Sequence, residues 1–379
     1  MKIAFDLRRI KNPGIGRYMK CLVEAVLARA PEHEYLLILP PDAKEVITFQ
    51  DRRVEKVLSP STYYSLQEQV ELPRLLRRHK ADLLHAPHFN IPLMRPCPTV
   101  VTIHDVIYLA CKQDMPSRLG RLYYHVMMAA AVRLADRVLT VSEFSRNEIL
   151  RYLNADPAKI AVVYSGVDPA FQRVCDAAQI EAVLSKYRID EDYILYTGIC
   201  KPRKNHAGLL RAFREFLKSG ESAKLVIAGP IGNREAEADL RRFGNELGIA
   251  GKLIFTGFVP ESDLASLYSA ARVYACPSLY EGFGFTVLEA MTCGVPVVCS
   301  RNTSLAEVAG DAALHADSQN PHEFAAALRR AFSEEELRRQ LIEKGHSNCR
   351  RFSWQRAASA TLAAYERVAG YPVEKAVFA

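Results

Sequence analysis

Short apolar runs recur along the chain, and each is followed by a longer stretch with the spacing of an amphipathic helix. This alternation predicts parallel strands that are joined by helices and covered on both faces. The strands predicted in the first half are residues 3–7, 35–39, 54–58, 82–85, 100–104, 138–141 and 160–164. Those predicted in the second half are residues 193–197, 225–228, 253–256, 273–275, 295–299 and 313–316. The pattern therefore predicts an α/β protein with two doubly wound parallel sheets.

The polar segment over residues 172–192 lacks strand character, so we expect the connection between two domains there. A chain of 379 residues also exceeds the size at which one hydrophobic core usually keeps growing. We expect a first domain over residues 1–175 and a second over residues 176–350. A helical segment over residues 351–379 is expected to cross back to the first domain.

Some helix boundaries can be predicted as well. Ser145 and Glu148 have the three-residue spacing of a capping box, just after the strand predicted over residues 138–141. This spacing predicts a helix that begins at Ser145. Residues 321–345 and 353–368 are predicted to be helices near the end of the chain.

The composition is that of a soluble globular protein, with 49% apolar and 25% charged residues. The first residues mix an acid with bases, and apolar stretches such as 122–132 have about half the length that a helix needs to cross a bilayer. The nine cysteines are scattered without Cys-x-x-Cys spacing, so neither a disulfide framework nor a zinc site is indicated. We expect a cytoplasmic protein without a transmembrane segment.

The net charge of +7 is unevenly distributed along the chain. Through residue 170 there are 24 Lys and Arg against 18 Asp and Glu, or +6, which leaves 26 against 25, or +1, for the remainder. The basic half is expected to face an anionic partner, because long-range attraction does not distinguish a bilayer, a phosphorylated lipid and a nucleic acid. A basic surface that serves only solubility is the alternative.

Residues 72–80 combine leucines with intervening bases at helical spacing. Such a helix could lay apolar and cationic faces on an anionic bilayer. We favour the other interpretation, in which a crossover helix packs its leucines on the sheet and exposes its bases. Pro73 fits only the first turn or a kink of this helix.

The strongest chemical signal lies within residues 278–298. Gly282 and Gly284 follow a predicted strand and let backbone N–H groups approach a ligand at the start of the next helix, where phosphate binds well. Two acids eight residues apart, Glu281 and Glu289, lie on nearly one face and are predicted to hold separate hydroxyl groups. A structural corner with two solvated acids is the alternative.

A basic loop over residues 198–205 follows the strand predicted over residues 193–197, at the edge where open α/β sheets bind ligands. Lys204 is the main candidate for stabilising the negative charge of a diphosphate, since a fixed cation does so without a metal ion. Arg203 is a second candidate. An exposed basic turn is the alternative.

A glycine loop also follows the first predicted strand. Gly14 and Gly16 open a helix and place backbone amides where a phosphate or a second substrate would lie. Arg17 is positioned to meet an anionic group. A plain tight turn has the same composition, so this motif alone is a weak signal.

His104 and Asp105 are predicted at the end of a strand, on the ligand-binding edge of the first sheet. His85 and His88 are expected to be loop residues near the same edge. These residues also suggest a metal cluster, or the metal phosphohydrolases that carry a His-Asp pair. Those hydrolases present the pair from helices, whereas this pair ends a β-branched, apolar run. We therefore predict no metal site.

The spacing of Glu281 and Glu289 resembles the Glu-x₇-Glu signature of the retaining glycosyltransferases of family 4, which have the GT-B fold. The glycine loop, the His-Asp pair, the basic loop and the Phe-Ser-Trp segment at residues 352–354 follow in the family's order, so the resemblance covers essentially the whole chain. It implies two Rossmann-like domains that face each other across a cleft, with the donor held mainly by the second and the acceptor by the first. It also implies a hexosyltransferase that needs no metal ion and no cofactor.

The resemblance implies a role for each candidate residue. His104 would orient the transferred sugar while the departing phosphate deprotonates the acceptor. Lys204 would stabilise the diphosphate, and Glu289 would hold the ribose. The expected catalytic residues are His104, Asp105, Lys204 and Glu281. The expected donor-binding residues are Gly14, Gly16, Arg203, Lys204, Glu281, Gly282, Phe283, Gly284, Phe285, Thr286 and Glu289. The expected acceptor-side residues are Arg17, His85 and His88.

One position departs from the family's pattern. Many members have an arginine directly after the glycine that ends the strand, where this chain has Ile199. Arg203 is the predicted substitute. Because adjacent side chains on a loop point apart, it stays open whether Arg203 reaches the same diphosphate as Lys204.

Residues 14–18, 104–108 and 202–205 resemble the bacterial mannosyltransferases of surface-polysaccharide and lipopolysaccharide assembly. We therefore predict GDP-mannose as the donor and a glycan or lipid-linked glycan as the acceptor, with no nucleic-acid partner. UDP-sugars and rhamnose donors remain alternatives. Peripheral contact with an anionic membrane, at its inner face, also stays open.

Other functions fit the same architecture. A sugar-nucleotide epimerase or a phosphorylase is one alternative, and the lysine-bound pyridoxal cofactor of a phosphorylase would show as an absorbance band. A non-catalytic, membrane-docking sugar-nucleotide-binding protein is another. The combination of Glu281, Lys204 and His104 argues against a non-catalytic protein.

Overall fold

The computed structural model describes residues 1–12, 14–43, 51–115, 117–230 and 234–370, with the backbone alone for residues 234 and 235. The chain divides into two compact units. Unit 1 consists of Met1–Gly166 together with the residues from Phe352 onward, and unit 2 consists of Val167–Arg351.

Unit 1 is built on a parallel β-sheet. Among its described residues, the strands are β1 (Lys2–Asp6), β2 (Glu34–Leu39), β3 (Val54–Leu58), β4 (Leu83–Ala86), β5 (Thr99–Thr102), β6 (Arg137–Thr140) and β7 (Ile160–Val162). They pair in the order β3-β2-β1-β4-β5-β6-β7, in parallel throughout. Strands β4 and β5 are entirely buried, as expected of a parallel sheet covered by helices. The strand order reverses between β1 and β4, where open α/β sheets bind ligands.

Unit 2 contains a second parallel sheet. In the described part of this unit, its strands are β8 (Tyr193–Thr197), β9 (Lys224–Ala228), β10 (Leu253–Gly257), β11 (Val273–Cys276), β12 (Val297–Ser300) and β13 (Ala313–Ala316). They pair in the order β10-β9-β8-β11-β12-β13. The order reverses between β8 and β11. Every strand predicted from the sequence is confirmed, with ends that differ by one or two residues.

Helices connect the strands in both units. Over the described residues they are α1 (Ile15–Arg29), α2 (Leu66–Arg78), α3 (Ile107–Ala110), α4 (Arg118–Leu134), α5 (Glu143–Leu153), α6 (Ala177–Lys186), α7 (His206–Lys218), α8 (Arg234–Glu246), α9 (Glu261–Ala270), α10 (Phe285–Thr292), α11 (Ser304–Ala309), α12 (Pro321–Ser333), α13 (Glu335–Cys349) and α14 (Trp354–Ala369). None of these helices combines the length and the apolar character that a bilayer crossing requires.

Two predicted helix boundaries are wrong. Helix α5 begins after Ser142, whose Oγ accepts a hydrogen bond of 3.0 Å from the backbone N–H of Ser145. Ser145 lies in the first turn and donates its own hydroxyl to the carbonyl of His104 at 2.9 Å, so it is not the N-cap. The single helix predicted over residues 321–345 is two helices, which are separated at Glu334 because the backbone there is extended.

Helix α14 belongs to unit 1 and packs along α1. Ser353 caps it by accepting a hydrogen bond from the backbone N–H of Arg356 at 3.2 Å. Near its end, the hydroxyl of Tyr365 lies 2.5 Å from His85 Nδ1 of β4. Helix α14, the last helix in the described part of the chain, is therefore part of the hydrogen-bonded core of unit 1.

The boundary between the units lies after Gly166, earlier than the predicted residue 175. The intervening residues pack within unit 2: the ring of Phe171 lies 5.9 Å from that of Tyr268, and the backbone N–H of Val174 donates to Ser269 Oγ at 2.9 Å. The predicted connecting segment, residues 172–192, is not an open linker, because it contains α6.

Helix α2 packs its leucines on the first sheet. Leu72 and Leu76 are buried in a cluster with Ala4 and Leu36, whereas the arginines of its last turn are exposed. This confirms the predicted crossover helix with a solvated basic face. Pro73 lies within the helix rather than in its first turn.

Candidate active site

The basic loop and the two-acid motif meet at the switch point of the second sheet. Lys204 follows β8 and Glu281 follows β11, and these strands are neighbours. Lys204 Nζ lies 2.5 Å from Glu281 Oε1, and the side chains are only 14% and 13% exposed. Two residues that were predicted from separate motifs therefore form one nearly buried ion pair.

Hydrogen bonds fix the carboxylate of Glu281. Ser278 Oγ donates to Oε1 at 2.7 Å, and Ser304 Oγ donates to the backbone carbonyl of Glu281 at 2.8 Å. Burial acts to raise the pKa of Glu281, but the charge and hydrogen bond of Lys204, with the charge of Arg203, lower it below its usual value. Glu281 is therefore ionised at neutral pH.

Backbone contacts hold the basic loop against the loop after β11. The N–H of Leu279 donates to the carbonyl of Arg203 at 2.7 Å. Asn205 Nδ2 donates to the carbonyls of Pro277 and Ser318 at 3.3 and 2.8 Å, and its Oδ1 caps α7. The loop that carries Lys204 is thus tied to the loop that carries Glu281.

Helix α10 begins at Phe285, directly after the glycines of the predicted ligand-binding loop, and it has no side-chain N-cap hydrogen bond. Gly284 precedes it with φ +104, a conformation that favours glycine, and a Cβ there would lie 2.4 Å from Leu305. Gly282 and Phe283 lie in the loop before it, and Thr286 in its first turn hydrogen-bonds Tyr274. The geometry leaves this helix start suited to an anionic ligand.

Glu289 lies in the last turns of α10 and is only 4% exposed. The hydroxyl of Tyr268 donates to Glu289 Oε2 at 3.0 Å, and the same hydroxyl lies 2.7 Å from Thr197 Oγ1 at the end of β8. The second acid of the motif is therefore held beneath the surface by a side-chain network.

Arg203 and Ile199 lie in the loop after β8. Ile199 is 39% exposed. Arg203 is partly buried, and its charge contributes to the lowered pKa of Glu281. The charge of Arg203 therefore acts on the same carboxylate as that of Lys204.

The glycine loop of unit 1 precedes α1. Gly14 is the N-cap of this helix, and a Cβ on Gly16 would lie 1.9 Å from the carbonyl oxygen of Ile10, so only glycine fits there. Arg17 lies in the first turn and is partly buried. The loop packs tightly on the chain that leaves β1.

His104 lies in the loop after β5, because this strand ends at Thr102 rather than at the predicted residue 104. Its Nε2 lies 3.0 Å from the carbonyl of Pro87. Since a carbonyl only accepts, Nε2 carries the proton and Nδ1 is an acceptor. Burial lowers the pKa of His104 to about 4, so the ring is neutral at neutral pH. Its face meets the ring of Tyr18 at 4.6 Å.

Asp105 is part of the local backbone structure. Its Oδ1 accepts a hydrogen bond of 3.0 Å from the N–H of Ile107, where α3 begins. Its carbonyl accepts a hydrogen bond of 3.3 Å from the hydroxyl of Tyr124. These contacts give Asp105 a structural role beside the catalytic one predicted for it.

His85 ends the strand predicted over residues 82–85 and was also expected to be a loop residue; the strand is confirmed and the loop position is wrong. His85 lies within β4, pairs with Phe5 and Val100 of the neighbouring strands, and is completely buried. Its Nδ1 contacts Tyr365 and its Nε2 lies 2.8 Å from Thr102 Oγ1. Burial lowers its pKa to about 3, so this neutral ring joins the core.

His88 does lie in the loop after β4, as predicted, and is buried with its Nε2 3.0 Å from Arg9 Nη1. Both ring nitrogens of His85, and Nε2 of His88 and of His104, therefore each face a hydrogen-bonding group. Within the described ranges, no three His, Cys, Asp or Glu side chains group so that they could hold a metal ion.

Several site residues escaped the sequence prediction. Asn205 and Ser278 lie inside the motifs but were not singled out, although their capping and hydroxyl chemistry is a usable signal. Tyr268 and Ser304 lie in distant segments. No local pattern connects them with Glu289 or Glu281, because the connection is made by the fold.

Models of known families match both units. The model described as Glycosyltransferase Family 4 matches residues 14–171, and the model described as Glycosyl transferases group 1 matches residues 180–348. The O-antigen chain mannosyltransferase B of Escherichia coli is 33% identical over 97% of this chain and 100% of its own length. These findings confirm the family resemblance predicted from the motifs.

Solved structures share the fold. A glycosyltransferase from Rickettsia africae has a TM-score of 0.75 and 17% identity over 97% of this chain and 98% of its own. Anabaena HepE in complex with UDP and glucose has a TM-score of 0.76 and 18% identity over 96% of this chain and 99% of its own. This likeness confirms the predicted GT-B fold class with two Rossmann-like domains.

Proposed function

Because the chain belongs to glycosyltransferase family 4, we propose that it is a retaining, metal-independent mannosyltransferase that uses GDP-mannose. The acceptor is a hydroxyl of a glycan or a lipid-linked glycan in the cytoplasm. The observation that carries the proposal is the Lys204–Glu281 ion pair at the switch point of the second sheet, beside the start of α10. This arrangement combines a cation for a diphosphate with an acid for sugar hydroxyls.

Lys204, with Arg203, stabilises the diphosphate as its negative charge develops, and the first amides of α10 add to this stabilisation. The two side-chain hydrogen bonds described for Glu281 both fall on Oε1. Its Oε2 is therefore placed to accept a hydroxyl of the donor sugar. Fixed charges of this kind need no reorganisation during the reaction, which is why they lower its barrier.

Glu289 accepts the ribose hydroxyls of the donor in this proposal. The hydrogen bond from Tyr268 fixes its carboxylate in one orientation. A buried, oriented carboxylate discriminates well between a ligand with a hydroxyl and one without. When the hydroxyl is missing, the buried carboxylate is left without a hydrogen-bond donor, which costs binding free energy.

His104 orients the transferred sugar. Its neutral ring offers Nδ1 as an acceptor for a sugar hydroxyl, because Nε2 is engaged with Pro87. The acceptor oxygen then bonds to the anomeric carbon on the face from which the diphosphate departs. The carbon–oxygen bond to the diphosphate breaks with its electron pair, and the departing phosphate oxygen takes the acceptor's proton. Retention follows because both events occur on one face.

The choice of mannose is supported by the relatives. Besides the E. coli mannosyltransferase B, the serotype-specific mannosyltransferase WbdA of E. coli is 25% identical over 94% of this chain and 46% of its own length. A UDP-sugar donor is the alternative. In this proposal the enzyme acts in the assembly of a bacterial surface polysaccharide such as the O-antigen of lipopolysaccharide.

Peripheral membrane contact is part of the proposal for a lipid-linked acceptor. Exposed apolar side chains of unit 1 lie on α4, on the N-terminal part of α2 and in the loop after β4. They are Leu66, Val70, Leu93, Met94, Leu119, Leu122 and Val126. Arg118 at the start of α4 is also exposed, so apolar and basic chemistry occur together.

A thermal-shift panel of GDP-, UDP- and ADP-sugars tests the donor. Selective binding of GDP-mannose is expected to raise the melting temperature, because a ligand that binds only the folded state stabilises it. Chromatography of the released nucleotide then separates the functions: a transferase slowly hydrolyses its donor without acceptor, whereas a binding protein releases no GDP. The donor assignment fails if no nucleotide sugar shifts the transition.

A further inference from the structure

Tyr64 of unit 1 adopts a backbone conformation that tyrosine rarely takes. Its φ is +66, in the left-handed region, and its side chain is 45% exposed. Such a conformation costs free energy and persists only where surrounding contacts hold it. Its backbone N–H donates to Glu68 Oε1 at 2.9 Å, which is one of these contacts.

Buried charges support this strained position. Glu68 is buried, and its Oε2 lies 3.3 Å from Arg8 Nη2. Arg8 is itself paired with Asp6 through two hydrogen bonds of 2.8 and 2.7 Å. Burying three charges is costly, so a network of this kind is expected where it fixes the geometry of something else. Here it fixes the loop that presents Tyr64.

Tyr64 forms an aromatic corner with Tyr123 of α4. The two ring centroids lie 5.6 Å apart with an angle of 84° between the planes, and Tyr123 is 38% exposed. On its other side, Tyr64 lies nearly parallel to Phe89 at 6.0 Å. Two partly exposed rings at right angles thus offer both a face and an edge to a ligand.

Hydrogen-bond donors border the corner. Arg9 Nη1 bonds the hydroxyl of Tyr64 and lies 3.0 Å from His88 Nε2. Because a guanidinium only donates, His88 Nε2 is the acceptor. Burial lowers the pKa of His88 well below its usual value, so the neutral ring carries its proton on Nδ1. Among the described residues this buried Nδ1 has no hydrogen-bond partner.

We propose that Tyr64, Tyr123, Arg9 and His88 form a subsite for a neutral pyranose of the acceptor glycan. The inference rests on the proposed function and names where its acceptor binds. Arg9 follows β1 and His88 follows β4, so the subsite lies at the switch point of the first sheet. Tyrosine faces pack on the C–H groups of a pyranose and Arg9 donates to its hydroxyl oxygens, while the buried His88 holds Arg9 in place.

The shape favours a pyranose over a flat ligand. A nucleobase stacks best in a slot between parallel rings, whereas the 84° corner fits a non-planar ring. The carboxylates of Asp6 and Glu68 are buried and bonded to Arg8 and to the N–H of Tyr64, so they do not face the ligand. The groups that the subsite offers are therefore tyrosine rings and N–H donors, which suit the C–H faces and hydroxyl groups of a hexose.

Two single variants each remove one ring of the aromatic corner, and both are expected to stay folded. Tyr64→Gly deletes one ring where φ +66 favours glycine, so the melting temperature is expected to stay within a few degrees of the wild type. Tyr123→Ala deletes the other ring from an exposed position on α4. His125→Ala, also exposed on α4, is the matched control.

Kinetics with soluble mannose oligosaccharides, which need no membrane, measure the effect. Each tyrosine variant is expected to raise the acceptor KM about 10-fold, the order expected for loss of one aromatic contact. GDP release from GDP-mannose without acceptor should stay at the wild-type rate, and His125→Ala should match the wild type in both assays.

An unchanged acceptor KM in both tyrosine variants overturns the subsite. An equal loss of acceptor-independent GDP release also overturns it, because the defect would then lie in the donor reaction or the fold. If the wild type releases no GDP at all, the proposed donor function fails instead.

Discussion

Lys204 Nζ and Glu281 Oε1 lie 2.5 Å apart, although 77 residues separate them in the sequence. In the absence of a ligand each charge is compensated by the other. A diphosphate that binds beside Lys204 adds a second anion to the same cation. The pair thus keeps both groups oriented before the substrate arrives, which is the preorganisation that charge stabilisation requires.

Replacing Lys204 by Met is expected to lower kcat at least 100-fold, because no equally placed cation then meets the charge of the departing diphosphate. The rate of transfer from GDP-mannose is the measurement. Lys201→Met is the control, since Lys201 is an exposed cation of the same loop. Retention of more than about a tenth of the activity in Lys204→Met contradicts the assigned role.

Removing the hydroxyl of Tyr268 tests the role of Glu289. Tyr268→Phe is expected to raise the donor Kd about 5- to 10-fold, because the carboxylate loses the hydrogen bond that orients it. Calorimetric titration with GDP measures the change. Tyr193→Phe is a matched control, since this buried hydroxyl donates to the carbonyl of Leu267 instead. Equal weakening in both variants would show a general packing effect.

The acidic limb of the pH profile reports on His104. Its pKa is lowered to about 4, so Nδ1 stays an acceptor until the pH approaches that value. We expect kcat/KM to be level between about pH 8 and 5 and to fall below, with a midpoint near 4. A midpoint near 6.5, the ordinary value for histidine, would contradict the buried neutral ring. Circular dichroism at each pH separates inactivation from unfolding.

His206 makes unfolding sensitive to acid. Its ring is buried against Tyr196, both ring nitrogens are without partners among the described residues, and burial lowers its pKa to about 4. The unfolded chain takes up this proton below about pH 6.5 and the folded chain only near 4, so stability falls as the pH drops between these values. The loss is about 1.4 kcal/mol per pH unit for such a group.

His206→Phe is expected to flatten this dependence by about one proton and to leave stability at pH 7 equal or higher, since two unmet polar atoms disappear. Urea unfolding at pH 7, 6, 5 and 4.5 gives the slope. His322→Phe serves as the control because the side chain of His322 is 81% exposed. If both variants keep the wild-type slope, His206 is not the group responsible.

Vesicle sedimentation tests the membrane contact. The double variant Leu119→Ser, Leu122→Ser is expected to lose binding to vesicles that contain anionic lipid, because each leucine contributes buried apolar area in a bilayer. Phe258→Ser is the control, since Phe258 is similarly exposed but belongs to unit 2. Failure of the wild-type protein to sediment with anionic vesicles, at low salt, rejects the contact.

The strands of both sheets could be predicted from the sequence, because a strand that is buried on both faces is apolar along its whole length. The contact of Lys204 with Glu281 also follows from topology, since loops after neighbouring parallel strands share an edge. His85 shows where such reasoning stops. The sequence left it between a strand end and a loop, and pairing with Phe5 and a hydrogen bond with Tyr365 of α14 make it a core residue.

Other features depend on contacts that leave no local trace. Ser142 and Ser145 are both suitable N-caps, and only the carbonyl of His104 decides between them by engaging Ser145. The positive φ of Tyr64 is equally invisible in the sequence, because tyrosine has no preference for that conformation. It is held by Glu68, which is paired with Arg8 in the segment after β1.

The hydrogen bond between His85 and Tyr365 spans 280 residues of chain. Unit 2 is one continuous stretch, so it is complete as soon as residue 351 has been synthesised. Most of unit 1 is synthesised first, but the buried ring of His85 gains its last partner only when α14 has been synthesised. Unit 1 can therefore be completed only after unit 2, which reverses the usual N-to-C order of domain folding.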